Sequence, residues 1–514
     1  MKVIKKILYV QPFVLDKGGL EDNKIHIAYS RGVLIWAVYL DNYLKSKIHD
    51  LESMLLYLPF EEGINIDSYT QENTFFSQMD ELISELSFDK KGNILVCISA
   101  PTSHHYLSSK LIASYFQKRF PENVLVVGGV HASVRPNDFI YLNSPFDYII
   151  IGEGELPLYN LIKEKVGKQK TPKIIGNNPV PILNDLPPLD FSLFDKYPMQ
   201  HLSVNLSRGC PFTCSFCIEE FFCKNTVKKW RAYKPERAVE ELNSVIEYGK
   251  KRGAISITLN DPIFGFNKRW LEKFTELSQI SSIPIWVDTR LEILNEKTLT
   301  TLAKKGFFQM YGLETCSKKM LKIMNKTKDP SMYLKKFEIL CQIHKKIENT
   351  CFINLLFNHP GETKETVEEN MNKILNLIEG EKMGMWAVFN FALYTHFPGT
   401  RIYKNMENYE LQYGTVFYYP EWWKNEVIIQ YGGLCVKPSS NMPFRESLDL
   451  YSDYNKILET AEFKTFSKNK KHSSRRFQRY FEMVKNLQNL ETLKSELLTF
   501  IEELPPNLDD PQSL

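Results

Sequence analysis

The sequence predicts an α/β protein: a doubly wound, Rossmann-like parallel sheet, then a partial (β/α) TIM-type barrel, then a small, mostly helical C-terminal domain. Two observations carry this reading. Short runs of β-branched residues alternate with helical periodicity twice along the chain, and a proline-rich break separates the two series. A chain of 514 residues has room for about three such units. The boundaries fall at 1–165, a linker at 166–198, 199–404 and 405–514.

In the first unit, strands are expected at Ile4–Val10, Ile94–Ser99, Val124–Val127 and Asp147–Ile151. The stretch Ser108–Phe120 places Leu111, Ile112, Tyr115 and Phe116 at helical spacing. Ligands of such sheets sit beyond the carboxyl ends of the strands. Those ends carry Ala100 to His105, Gly128-Gly129-Val130-His131 and Gly152-Glu153-Gly154-Glu155. The linker holds Pro172, Pro179, Pro181, Pro187, Pro188 and Pro198, which favour extended chain. Barrel strands are expected at 202–206, 255–260, 284–288, 308–313, 351–357 and 385–391. Near 405 the pattern changes. Tyr409, Tyr413, Phe417, Tyr418, Tyr419, Trp422, Trp423 and Tyr431 crowd one segment, either lining a substrate pocket or forming a packed core. A basic run from Lys464 to Arg479 reads as a solvated helix face.

Composition narrows the function classes. A net charge of +3 gives no basis for a nucleic-acid partner. No membrane span is visible, and the charged start Met1 to Val10 reads as a first strand of a cytoplasmic protein. Nine cysteines then point to metal or redox chemistry more than to disulfides. Cys210, Cys214 and Cys217 stand at CxxxCxxC spacing just after a strand. Thiolates suit iron–sulfur clusters, and three close ligands leave one iron of a [4Fe–4S] cluster open to a small molecule. A zinc knuckle would need a fourth ligand, for which Cys223 is the nearest candidate.

The segment Leu206-Ser207-Arg208-Gly209-Cys210 through Cys217 resembles the signature of radical S-adenosylmethionine (SAM) enzymes. Asn260-Asp261-Pro262, Tyr311-Gly312-Leu313-Glu314 and Asn358-His359-Pro360-Gly361-Glu362-Thr363 resemble later segments of that family, although Asn358-His359 departs from its usual glycine and apolar residue. Val126 to Ser133 followed by Asp147 to Glu155 is similar to the cobalamin-binding domain of cobalamin-dependent members. The resemblance covers about residues 1 to 400 and implies three cofactors: a [4Fe–4S] cluster on Cys210, Cys214 and Cys217, SAM, and cobalamin. It implies SAM contacts from Phe216, Asp261, Gly312 and Glu314. It implies cobalamin contacts from Thr102, Ser103, His104, Gly128, Gly129, His131, Gly152 and Glu153. No DxHxxG cobalt-ligand segment is present, so the lower axial position is open or held by another group, with His104 and His105 as candidates.

The implied activity is methyl transfer to an unactivated carbon of a natural product or peptide. The alternative keeps the cofactors but performs cyclisation or ring contraction. A flavodoxin- or ferredoxin-type electron donor is implied as partner. Methylthiotransferases share the barrel motif but carry further cluster cysteines upstream, where residues 1–200 have only Cys97.

Overall fold

The computed structural model describes residues 4–14, 35–61, 71–86 and 94–458, apart from 165, 177–178, 225, 227, 380–386, 427, 432–435, 444–445, 448 and 455. Strands β1 (Lys6–Gln11), β2 (Glu52–Tyr57), β3 (Ile94–Ser99), β4 (Val124–Gly128), β5 (Tyr148–Ile151) and β6 (Lys173–Gly176) form one sheet. Their order is β2-β1-β3-β4-β5-β6, with every pairing parallel. The near-continuous apolar runs follow from burial on both faces. Ile7, Tyr9, Leu95 and Val126 pack under helices Trp36–Lys45 and Glu155–Lys163. Leu8, Val10, Val96 and Leu125 pack under Glu72–Ser84 and Tyr106–Arg119. The strand order reverses between β1 and β3, which opens a crevice beyond their carboxyl ends.

Two of these strands, β2 and β6, go beyond the four expected. β6 comes from the segment 166–198, which also makes 3₁₀ turns at Leu183–Asp185 and Ser192–Phe194. Leu183, Leu186, Leu189, Phe191 and Phe194 of that segment are buried, so its prolines punctuate packed chain.

β7 (His201–Val204) begins the second sheet. A two-residue antiparallel ladder, β8 (Ser207–Arg208) with β9 (Arg231–Ala232), then closes the neck of the cysteine loop. β10 (Ser256–Leu259), β11 (Ile285–Thr289), β12 (Phe307–Glu314), β13 (Cys351–Phe357) and β14 (Ala387–Leu393) complete a six-stranded parallel sheet in chain order from β7. Helices Pro235–Arg252, Lys268–Leu277, Glu296–Lys304, Pro330–Ile347 and Lys364–Glu379 lie between successive strands from β9 to β14. Trp286, Met310, Phe352 and Val388 form a small apolar cluster of their own. Two residues further along the same strands stand Asp288, Gly312, Asn354 and Asn390, all half-buried. One inner layer is therefore apolar and the layer nearer the strand ends is polar.

After β14 come helices Arg401–Lys404 and Met406–Tyr413, then a short ladder of β15 (Val416–Phe417) and β16 (Val436–Lys437). Tyr418, Trp422, Trp423, Ile428 and Ile429 cross back and complete the core of the first sheet. Most of the aromatic segment is thus packing. The basic run Lys464 to Arg479 lies outside the described residues. Among the described residues no helix is long and apolar enough to cross a membrane.

Candidate active site

The cysteine loop is held at its neck by a buried carboxylate. Asp261, just beyond β10, accepts hydrogen bonds from the Leu206 backbone N–H (2.7 Å) and the Ser207 hydroxyl (2.6 Å). Burial raises its pKa to about 7 against those two hydrogen bonds. The structure therefore places Asp261 under the loop, where it fixes the chain leading into Cys210. Cys210, Cys214 and Cys217 are all free thiols. Burial pushes Cys210 up to about 11 and Cys217 up to about 12, so metal binding must displace their protons. Three soft donors on one short loop fit an iron–sulfur cluster. They do not fit a four-ligand zinc knuckle. Cys223, the nearest fourth thiol, is engaged elsewhere: it accepts from the Cys210 N–H (3.2 Å) and donates to the Lys229 carbonyl (3.3 Å).

Two buried cations that sequence reasoning missed flank the loop. Arg290 donates from Nη1 to the Cys214 sulfur at 3.5 Å. Lys326 pairs with Glu314 at 2.8 Å and lies 6.0 Å from the Phe216 ring centroid. Glu314 ends β12 with φ +69° after a break in register, which turns its carboxylate toward Lys326. A Cβ on Gly312 would lie 2.5 Å from the Glu314 carboxylate and 2.8 Å from Lys326 Nζ, so a side chain there would push the pair from its present place. Phe216 also meets His359 edge-on at 6.1 Å. The expected SAM residues Phe216, Gly312 and Glu314 are thus gathered around Lys326.

His359 is buried and held neutral, its pKa lowered to about 4 by burial. Its Nδ1 faces the Pro360 carbonyl at 2.8 Å, an acceptor, so Nδ1 carries the proton. Nε2 then accepts from the Ser215 hydroxyl at 3.3 Å, inside the cysteine loop. Glu362 turns the other way. It accepts from the Asn358 N–H and the Tyr451 hydroxyl, both at 2.7 Å, and burial raises its pKa to about 8.

A cavity of about 860 Å³ lies between the two sheets. Gly128, Gly129, Gly152 and Glu153 of the first domain face Gly209, Glu219 and Phe222 of the second across it. Gly129 has φ +100°, and a Cβ there would lie 2.7 Å from the Ala100 backbone. Glycine at 129 is therefore required by the packing of two strand ends beneath the cavity wall. Glu153 does not point at the cavity as a free ligand. Burial opposes its ionisation, but Arg208 (3.0 Å) and Arg231 keep its pKa below the usual carboxylate value. Arg208 also pairs with Glu155 at 2.6 Å, so a carboxylate–guanidinium lattice joins the domains at the cavity wall.

The remaining expected cobalamin residues lie elsewhere. Ser103 pairs with His131 Nδ1 at 2.9 Å, and His131 is sealed among Tyr106, Phe139 and Trp423 with Asp138 3.5 Å away. Thr102 holds His105 Nδ1 at 2.9 Å, and burial lowers the His105 pKa to about 3. His104 packs 4.7 Å from Trp422. Neither His104 nor His105 lines the cavity, and no described histidine does. Reading from strand ends located these residues but not the C-terminal aromatics that claim them.

Residues 204–374 match the Radical SAM superfamily. An uncharacterized methyltransferase of Pyrococcus horikoshii is 26% identical over 368 residues, spanning 67% of this chain and 75% of its own. The bacteriochlorophyllide d C-8(2)-methyltransferase of Chlorobaculum tepidum is 26% identical over 57% of this chain and 64% of its own. The fold is similar to the cobalamin-dependent SAM radical enzyme OxsB with aqua-cobalamin bound (TM-score 0.61, 14% identity, 97% of this chain and 81% of that one). It is also similar to the radical SAM methyltransferase TsrM of Kitasatospora setae (TM-score 0.55, 17% identity, 77% and 75%). The barrel thus carries the match to the Radical SAM superfamily, and the chain as a whole is similar in sequence to the methyltransferase relatives and in fold to the cobalamin-dependent radical SAM enzyme OxsB.

Proposed function

We propose that this enzyme methylates an unactivated carbon of a small-molecule or peptide substrate. One observation carries the reading: the glycine-walled crevice of the first sheet and the two ends of the cysteine loop, Gly209 before it and Glu219 to Lys224 after it, bound the same cavity. When bound, cobalamin supplies a methyl group, and the [4Fe–4S] cluster with SAM supplies the radical that activates the carbon. The chain's own residues provide the frame. Cys210, Cys214 and Cys217 hold the cluster, with Asp261 fixing the loop's entry. Glu314 presents a buried carboxylate suited to an amine or hydroxyl donor, and Lys326 holds it in place. Gly128, Gly129 and Gly152 admit the corrin. Arg208 and Arg231 bind Glu153 and hold the two walls together, which limits water entry. A flavodoxin- or ferredoxin-type protein delivers electrons in the cytoplasm.

The test is anaerobic reconstitution followed by turnover with methyl-labelled SAM and candidate substrates. Label in a product supports methyl transfer. Steady formation of 5′-deoxyadenosine with an altered but unlabelled product would instead establish cyclisation or another skeletal change. Relatives named anaerobic magnesium-protoporphyrin IX monomethyl ester cyclase are 23% and 25% identical over 73% and 72% of this chain, so the experiment decides between two real outcomes.

A further inference from the structure

Arg290 follows β11 directly and is 6% exposed. A buried cation needs partners on every side, and this one has them. Nη1 donates to the Cys214 sulfur at 3.5 Å. Nη2 donates to the Lys326 carbonyl at 2.6 Å and to Glu292 at 3.0 Å. The guanidinium carbon stands 3.9 Å from the centroid of the Phe212 ring, inside the cysteine loop, and 5.8 Å from that of Tyr333. The group is therefore fixed in position and orientation before any cofactor binds. The charged groups around it are Glu292, the Lys326–Glu314 pair and the Cys214 thiol.

We propose that Arg290 is a positioning residue for the cluster, holding the Cys214 ligand in place and raising the cluster's reduction potential through a charge-assisted hydrogen bond to its sulfur. This rests on the cofactor reading above. Reduction adds one electron from an external donor to the cluster, while Arg290 keeps its proton. The added negative charge is felt most by the nearest fixed cation, so the arginine favours the reduced form. Lysine keeps the charge but loses the planar fork that reaches sulfur, carbonyl and carboxylate together.

The experiment uses full-length protein reconstituted anaerobically with iron and sulfide, without SAM. Iron and sulfide content are measured first. A dithionite redox titration followed by EPR of the reduced cluster comes next. Arg290→Gln is expected to be about tenfold harder to reduce at a fixed poise, a midpoint about 59 mV lower for one electron. Glu292→Gln, which removes a neutralising carboxylate, is expected to move the midpoint upward. Arg290→Lys should fall between Arg290→Gln and the parent. A fully loaded Arg290→Gln protein with the parent's midpoint overturns the proposal. If Arg290→Gln assembles no cluster, parental midpoints in both Arg290→Lys and Glu292→Gln overturn it. A parent protein that binds no cluster sinks the cofactor reading instead.

Discussion

The crevice of the first sheet and the cysteine loop, whose two ends border the same cavity, are built on opposite principles. In the loop, chemistry is carried by side chains close in sequence, and distant strand ends support them. Asp261, Arg290, Lys326 and His359 all lie on other elements yet touch the loop or its neck. In the crevice, the useful feature is backbone left bare at Gly128, Gly129 and Gly152. Two of its most chemically suggestive side chains, His104 and His131, serve a seam with the C-terminal aromatics, and His105 is held by Thr102. A motif of reactive residues can thus mark a reaction centre in one domain and a packing joint in the next.

The largest expected effect separates the two regions. Replacing Cys210, Cys214 or Cys217 with alanine should abolish SAM cleavage and empty the chain of most of its iron, while cobalamin retention on gel filtration stays at the parent level. Joint loss of both cofactors would mean that the regions assemble as one. Next, Gly129→Ala attacks the crevice alone. Its positive φ and the close Ala100 backbone should cost about 1–3 kcal/mol in denaturant unfolding and weaken cobalamin retention, with iron unchanged. Unchanged cobalamin and stability would remove the close-approach role. The smallest effect concerns the turn that carries His359, held from behind by Glu362. Glu362 binds its proton more tightly when folded, with a pKa of about 8 against an ordinary 4.5. The folded state then holds a proton that the unfolded chain has lost, so this group's contribution to stability declines as pH rises from 4.5 to about 8. Glu362→Gln should flatten the fall of Tm across that window; an unaltered slope would show that Glu362 is ionised in the fold.

Legibility followed sequence locality. The spacing of three cysteines needs only one loop, and the β-branched runs of β3 and β4 identify themselves. β2 was obscured because it opens on exposed Glu52 before its buried residues begin. β6 is four residues long in proline-rich chain, and its first two residues are exposed. Arg290 and Lys326 had no signal, since a single basic residue has no spacing to read. Glu314 was found as a motif residue, but its ion pair with Lys326 depends on a broken strand register that no local pattern announces. Asp261 was correctly placed at a strand end, where its partners turn out to be backbone and hydroxyl groups of the neighbouring strand's exit.

Trp422 and Trp423 carry a consequence for synthesis. They complete the core of a domain whose fifth strand ends at Ile151, about 270 residues earlier. At ribosomal rates of about 5–20 residues per second, that core waits roughly 15–55 s for its last two indoles. Throughout this interval Phe139, Tyr106 and His131 present an unfinished apolar face. The first domain to emerge is thus the last to have its core completed.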